Sequence, residues 1–323
     1  MLFSRFVLLA SVGFLTLLIS QQTDASVMVT VGNINNAADD TGYGAVGYEY
    51  RISATEVTNS EYAAFLNAVA ATDTYGLYNS EMSGTYGGIS RTGPSGSFIY
   101  SVNSDRGENP VVYVSFYDAL RYTNWLHNGM GNGDTENGAY TITDEGITNN
   151  SITRNPGATW FLPSEDEWYK AAYYDPTLNS NAGGYFDYAT RSDVAPIAEL
   201  PAGGINSANY GQVDGNTTAV GAYTSALSPY GTYDQSGNVW EWNEAVIGWS
   251  NRGSRGGDWD SYYSSLLSSS YRDYVEPADE YSSVGFRVAS LSSPASVPEP
   301  GSLAVWAVLG GIGLCWRRRR ARK

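Results

Sequence analysis

Three stretches of the chain carry apolar residues at helical spacing behind the same kind of start signal. After Thr58 come Tyr62, Phe65, Leu66 and Val69, at i, i+3, i+4 and i+7, a one-faced apolar stripe. Glu61 completes a capping box there: the Thr58 hydroxyl serves an orphan amide while the acid reaches back to the cap. Ser115 with Asp118 repeats the pattern ahead of Ala119, Tyr122 and Leu126, and Ser164 with Glu167 repeats it ahead of Trp168, Ala171 and Ala172. The spacing predicts three short helices. Elsewhere short runs such as Asn109 to Val114 and Val284 to Ala289 read as strands between Gly-rich turns. Between the two ends no long linker and no short tandem repeat intervenes, so the expectation is one loop-rich α+β domain.

The ends follow different patterns. Arg5, an apolar run from Phe6 to Ile19 and the small residues Thr23 and Ala25 predict a signal peptide over residues 1–25, cleaved before Ser26. The run falls short of the roughly 20 apolar residues that a span needs. At the other end a linker over 292–300 closes on Val297-Pro298-Glu299-Pro300. An apolar run from Gly301 to Trp316 and the basic tail Arg317 to Lys323 complete residues 301–323. Arginines at a membrane edge set topology and keep the domain outside. The order Pro298-Glu299-Pro300, hydrophobic helix and arginine cluster resembles the PEP-CTERM sorting signal of Gram-negative bacteria. That resemblance implies recognition by an exosortase-type sorting protease, membrane attachment through the tail before processing, and a destination in the cell envelope or extracellular matrix.

Charge narrows the partners. Residues 26–316 keep 11 of the 18 Lys+Arg and 32 of the 33 Asp+Glu, a net charge of −21. Such a surface repels nucleic acid and anionic lipid and attracts cations. Cys315, the one cysteine, lies inside the apolar tail. The exported domain therefore has no disulfide, no thiolate nucleophile and no Cys-type zinc site. His127 is the one histidine, and a single imidazole cannot build a 2-His-1-carboxylate iron site.

Six motifs then follow in order: Glu56 to Leu66, Pro110 to Ala119, Phe161 to Trp168, Tyr230 to Trp242, Arg255-Gly256-Gly257-Asp258-Trp259 and Gly285-Phe286-Arg287-Val288. Together they resemble the sulfatase-modifying factor, or formylglycine-generating enzyme, family over about residues 46–291, after a lead-in of residues 26–45. The resemblance implies a loop-rich variant of the C-type lectin topology with few short helices and short strands. It also implies two copper-binding catalytic cysteines a few residues after the Arg-Gly-Gly motif. Those positions are about Ser261 and Leu266 here, and neither offers a soft ligand for Cu(I), so neither copper nor iron is expected.

The family's calcium positions are better kept. By resemblance one ion would take Asp234 and Glu241 through side chains and Gly237 and Val239 through carbonyls; a second would fall near Asn209, Tyr210 and Asp214, with Asn216 as a substitute. Hard oxygen donors at tight turns suit Ca²⁺, which takes six to eight of them. The alternative is that Asp234 and Glu241 cap turns or pair with arginines such as Arg255 or Arg287. Trp240, Trp242, Trp259 and Phe286 read as core. Asp260, Ser261, Tyr262, Tyr263 and Tyr271, with Tyr274, Tyr281 and nearby serines, fall where the resemblance places a ligand groove. The leading expectation is a non-catalytic, calcium-stabilised binding or matrix module, taking an extracellular polysaccharide or a protein ligand. Two others stand beside it: an enzyme of the same family, using a carboxylate-bound metal at Asp258, Asp260, Asp273 or Glu276 or a formylglycine-type oxidation, and a chaperone-like partner of a sulfatase.

Overall fold

The computed structural model describes residues 26–291. The predicted signal peptide, the Pro298-Glu299-Pro300 motif and the tail lie outside the described residues. Among those described, no helix is long and apolar enough to cross a membrane.

All three predicted helices form with their caps. Helix α1 covers Asn59–Val69, α2 Phe116–His127 and α3 Glu165–Tyr173, and Thr58, Ser115 and Ser164 each close a two-way capping box. Tyr62, Phe65 and Leu66 are fully buried, and the Phe65 ring meets Tyr122 of α2 edge-on at 5.4 Å. Tyr122 also meets Phe286 edge-on at 5.3 Å, an arrangement that aromatic quadrupoles favour.

Two four-stranded sheets frame this core. The first holds β1 (Met28–Val31), β2 (Tyr50–Ser53) and β3 (Trp160–Phe161); the second holds β4 (Trp240–Ile247), β5 (Asn251–Arg255) and β6 (Asp273–Val275). Two more strands come from one C-terminal segment: β7 (Val284–Gly285) runs parallel to β4, and β8 (Ala289–Ser290) is inserted antiparallel between β2 and β3. The lead-in is thus part of the fold, because β1 pairs with β2 from Met28↔Ser53 to Val31↔Tyr50.

Two strand expectations need correcting. Residues 109–114 form only the bridge Thr58↔Pro110, because Tyr113 turns the chain through a left-handed φ of 60°. The run from Val284 to Ala289 is two short strands in different sheets. Between them Arg287 points inward rather than pairing as a strand residue would.

Arg287 is fully buried and places all five of its N–H donors. Nε and one Nη hold the Glu241 carboxylate at 2.6 and 2.7 Å. The remaining donors reach the carbonyls of Ser53, Ala54 and Tyr233 at 3.0, 3.2 and 2.8 Å. Trp168 Nε1 donates to the same carboxylate at 2.7 Å, so α3 is tied in as well. Removing one partner of a buried pair leaves the other charge uncompensated and costs about 3–5 kcal/mol. Arg287→Met should lose that much in chemical denaturation, whereas Arg287→Met with Glu241→Leu should recover part of it; a single variant within 1 kcal/mol of wild type, on the scale of a ~1 kcal/mol ordinary hydrogen bond, would remove Arg287 from this role.

Candidate functional site

The expected groove residues divide. Tyr262 and Tyr263 are exposed at the start of the loop that follows Trp259. Asp260 accepts a hydrogen bond from the Gln212 amide. Ser261 is buried, which corrects its assignment to the groove surface: its hydroxyl donates to Asp258 Oδ1 at 2.6 Å, and its carbonyl accepts from Gly211 N at 2.8 Å. Burial raises the Asp258 carboxyl above its ordinary value, and the Ser261 bond works against that rise. Leu266 is half-buried and packs against the core. Neither position presents a reactive group.

An open cavity of about 410 Å³ lies where β4, β6 and β7 meet. Trp240, Tyr274 and Tyr281 give it aromatic walls, and Asp273, Glu276 and Asp279 give it acid; among the described residues no Lys or Arg lines it. Tyr271 leans on Trp240 with ring centroids 5.9 Å apart, continuing the aromatic surface. Trp240 therefore does double duty, with its bulk in the core and part of its surface lining the cavity. Behind this wall Arg255 is buried and engaged by Glu165 at 2.7 Å and by the carbonyls of Ser269 and Tyr271, which fixes the loop backbone carrying Tyr271.

The expected calcium positions lie deeper. Gly237 takes a left-handed φ of 91°, and a Cβ there would come within 2.4 Å of the Asn209 carbonyl, so only glycine lets the two loops touch. Asn238 N donates to that carbonyl at 2.9 Å. Glu241 is engaged by Arg287, as the pairing alternative anticipated. Asp234 accepts from Gly221 N at 2.6 Å and lies against Glu56, the first residue of the first motif.

Glu56 is fully buried; one oxygen accepts from Asn238 Nδ2 at 2.9 Å, and among the described residues the other meets no donor and has only the Asp234 carboxyl beside it. Burial, then the Asp234 and Glu241 charges, push the Glu56 carboxyl well above its usual range. Burial likewise pushes Asp234 up to about 6. Three buried carboxyls thus face one guanidinium, an excess of two negative charges when all are ionised. That excess and the orphaned Glu56 oxygen fit a divalent, oxygen-seeking ion. Among the described residues, however, no three acidic or imidazole groups converge on one point, so backbone carbonyls would have to complete the shell.

The second set is looser. Asn209 Oδ1 is buried without a partner among the described residues, Tyr210 OH donates to the Pro196 carbonyl at 2.7 Å, and Asp214 is exposed near Arg106. Arg106 also donates to Asn216 Oδ1 at 3.1 Å, placing a resident cation in that loop. His127 sits at the end of α2, where Nδ1 accepts from Thr159 N at 3.1 Å.

Two four-stranded sheets sharing one C-terminal segment, three helices closed by capping boxes and long loops between them place the chain in the sulfatase-modifying-factor class. The chain belongs to the sulfatase-modifying factor enzyme 1-like domain family, whose model matches residues 18–291. CarF is similar in fold, at TM-score 0.52 and 24% identity over 83% of this chain and 99% of that one. Variable protein 1 of Treponema denticola is similar too, at TM-score 0.51 and 20% identity over 82% of this chain and 95% of that one. Hercynine oxygenase of Mycolicibacterium smegmatis is 28% identical over 142 residues, 44% of this chain. The chain spans only 23% of that relative's length.

Ser261→Ala leaves a buried Asp258 oxygen without its donor, an unmet group that costs about 1–3 kcal/mol. The expected loss appears in urea denaturation; an unchanged midpoint would return Ser261 to the surface role first expected of it.

Proposed function

We propose that this chain is an exported, non-catalytic binding module, delivered to the envelope or extracellular matrix by its tail and stabilised by calcium. The observation that carries the reading is the pair of positions after Arg255-Gly256-Gly257. Where the resemblance calls for two thiolates, Ser261 is locked to Asp258 and Leu266 packs inward. The domain has no cysteine to replace them. A hydroxyl already donating to a carboxylate and an isobutyl group cannot hold Cu(I).

What the site retains is surface. Rigid aromatic faces of Trp240, Tyr274 and Tyr281 beside the carboxylates of Asp273, Glu276 and Asp279 suit stacking and hydrogen bonding to a polyhydroxylated chain, since tyrosine gives large contact area at low entropic cost. The ligand class this favours is extracellular polysaccharide, with a protein ligand as the alternative. The calcium would be held by Asp234, the carbonyls of Gly237 and Val239, and Glu241, with Glu56 beside them; it would supply fixed positive charge inside the fold. The N-terminal signal, the Pro298-Glu299-Pro300 motif and the arginine cluster support export and handling by an exosortase-type protease.

The test screens the protein against extracellular polysaccharides and a sulfatase-motif peptide, with calcium and with chelator, while the peptide mass is followed for oxidation. Binding without mass change, weakened about tenfold by Tyr274→Ala, is expected for an aromatic contact worth over 1 kcal/mol. Conversion of the peptide thiol to an aldehyde would overturn the reading and restore the oxidase. A ligand held only by the fold stabilises it by about 3 kcal/mol at a hundredfold its dissociation constant. Chelator should therefore lower the melting temperature, and a melt indifferent to chelator would remove calcium from the account.

A further inference from the structure

The wall of the cavity formed by Glu276 to Tyr281 is a strap with two faces. Glu276, Asp279 and Tyr281 line the cavity. Glu280 turns the other way, toward the N-terminus of α2, where its carboxyl hydrogen-bonds that of Asp118 and accepts from Asn79 Nδ2. Two backbone bonds flank this contact: Phe116 N donates to the Pro277 carbonyl at 3.0 Å and Tyr113 N to the Tyr281 carbonyl at 2.9 Å.

Two carboxyl groups in contact cannot both ionise without repulsion, so one proton sits between them. Asp118 is the anion of the pair. It accepts from Ser115 N at 3.0 Å and Ser115 Oγ at 2.6 Å, and it lies 3.7 Å from Arg121. Among the described residues Glu280 has no cation of its own. Arg121 belongs to Asp118 and to Glu136 at 2.7 Å, and Arg91 belongs to Asp73 at 2.9 Å. Asp73 adds negative charge near Glu280, and Tyr62 of α1 is a neutral phenol.

We propose that the proton shared by Glu280 and Asp118 is a latch on the cavity wall, fastening the strap in acid and releasing it as the surroundings approach neutrality. The inference rests on the cavity being the binding surface and adds its regulation. Burial first, then the Asp118 charge, raises the Glu280 carboxyl from 4.5 to about 7. A carboxyl whose closed-state value is raised favours the closed state fully below the open-state value. That preference is lost as pH climbs from about 4.5 through about 7, and is flat beyond.

The test is amide hydrogen exchange of the full protein at pH 5 and pH 8, corrected for the intrinsic rate, with Glu280→Gln as the variant. Glutamine keeps the donor to Asp118 and the acceptor for Asn79 but cannot ionise. Amides of residues 276–284 should exchange about tenfold or more faster at pH 8 in the wild type, a pKa rise of one unit being worth a factor of ten. The glutamine variant should show no such change, and the amides of α2 should stay protected in both. A wild-type strap indifferent to pH, a variant that follows the wild type, or equal loss of protection across α2 would each overturn the latch. Exchange needs no ligand, so a cavity that binds nothing in the screen and a latch that fails here are separate results.

Discussion

The fold depends on one guanidinium. Arg287 sits where the two sheets, α3 and the turn at Tyr233 would otherwise meet as unpaired polar backbone and an isolated carboxylate. Buried carbonyls without donors are costly, and a loop-rich domain has many carbonyls that no helix or ladder serves. Arginine answers this with a rigid fork of donors that lysine lacks. Arg252 repeats the solution with the carbonyls of Asn150, Ile152 and Glu244, and Arg255 with those of Ser269 and Tyr271. Fully buried arginines take the place that regular secondary structure holds in other domains.

Against this background the helices were the legible part of the sequence. A capping box is local chemistry, carried by two side chains three residues apart, and all three formed as the pattern predicted. The strands were less legible because many are two residues long, too short for alternation to show. Whether Val284 to Ala289 was one strand or two depended on where Arg287 found its partner, 46 residues away in sequence. The motif order gave the fold, because it reflects the whole chain rather than any one window.

The site was legible in its residue types and not in their orientation. Tyr262 and Tyr263 are exposed, whereas Ser261 between Asp260 and Tyr262 turns inward to serve Asp258. Trp240 was read as core from its bulk, yet one part of it lines the cavity. Glu56 opens the first motif, yet nothing in that motif marks its role: an acid ahead of a helix cap is ordinary until three-dimensional packing brings Asp234 and Glu241 to it. A periodic pattern shows which side of a helix is buried, but an irregular loop has no period to read.

The insertion of β8 between β2 and β3 bears on the order of events during biosynthesis. The middle of the first sheet is filled by residues 289–290, almost the last of the described residues. No shorter nascent chain can complete that sheet or supply Arg287 to Glu241. Contacts so distant in sequence also form slowly. A polypeptide emerging from the ribosome in this way stays open until its final segment is made, so the sheet closes only once the whole domain has been synthesised and a truncation of a few residues at this end costs the centre of the fold rather than its edge.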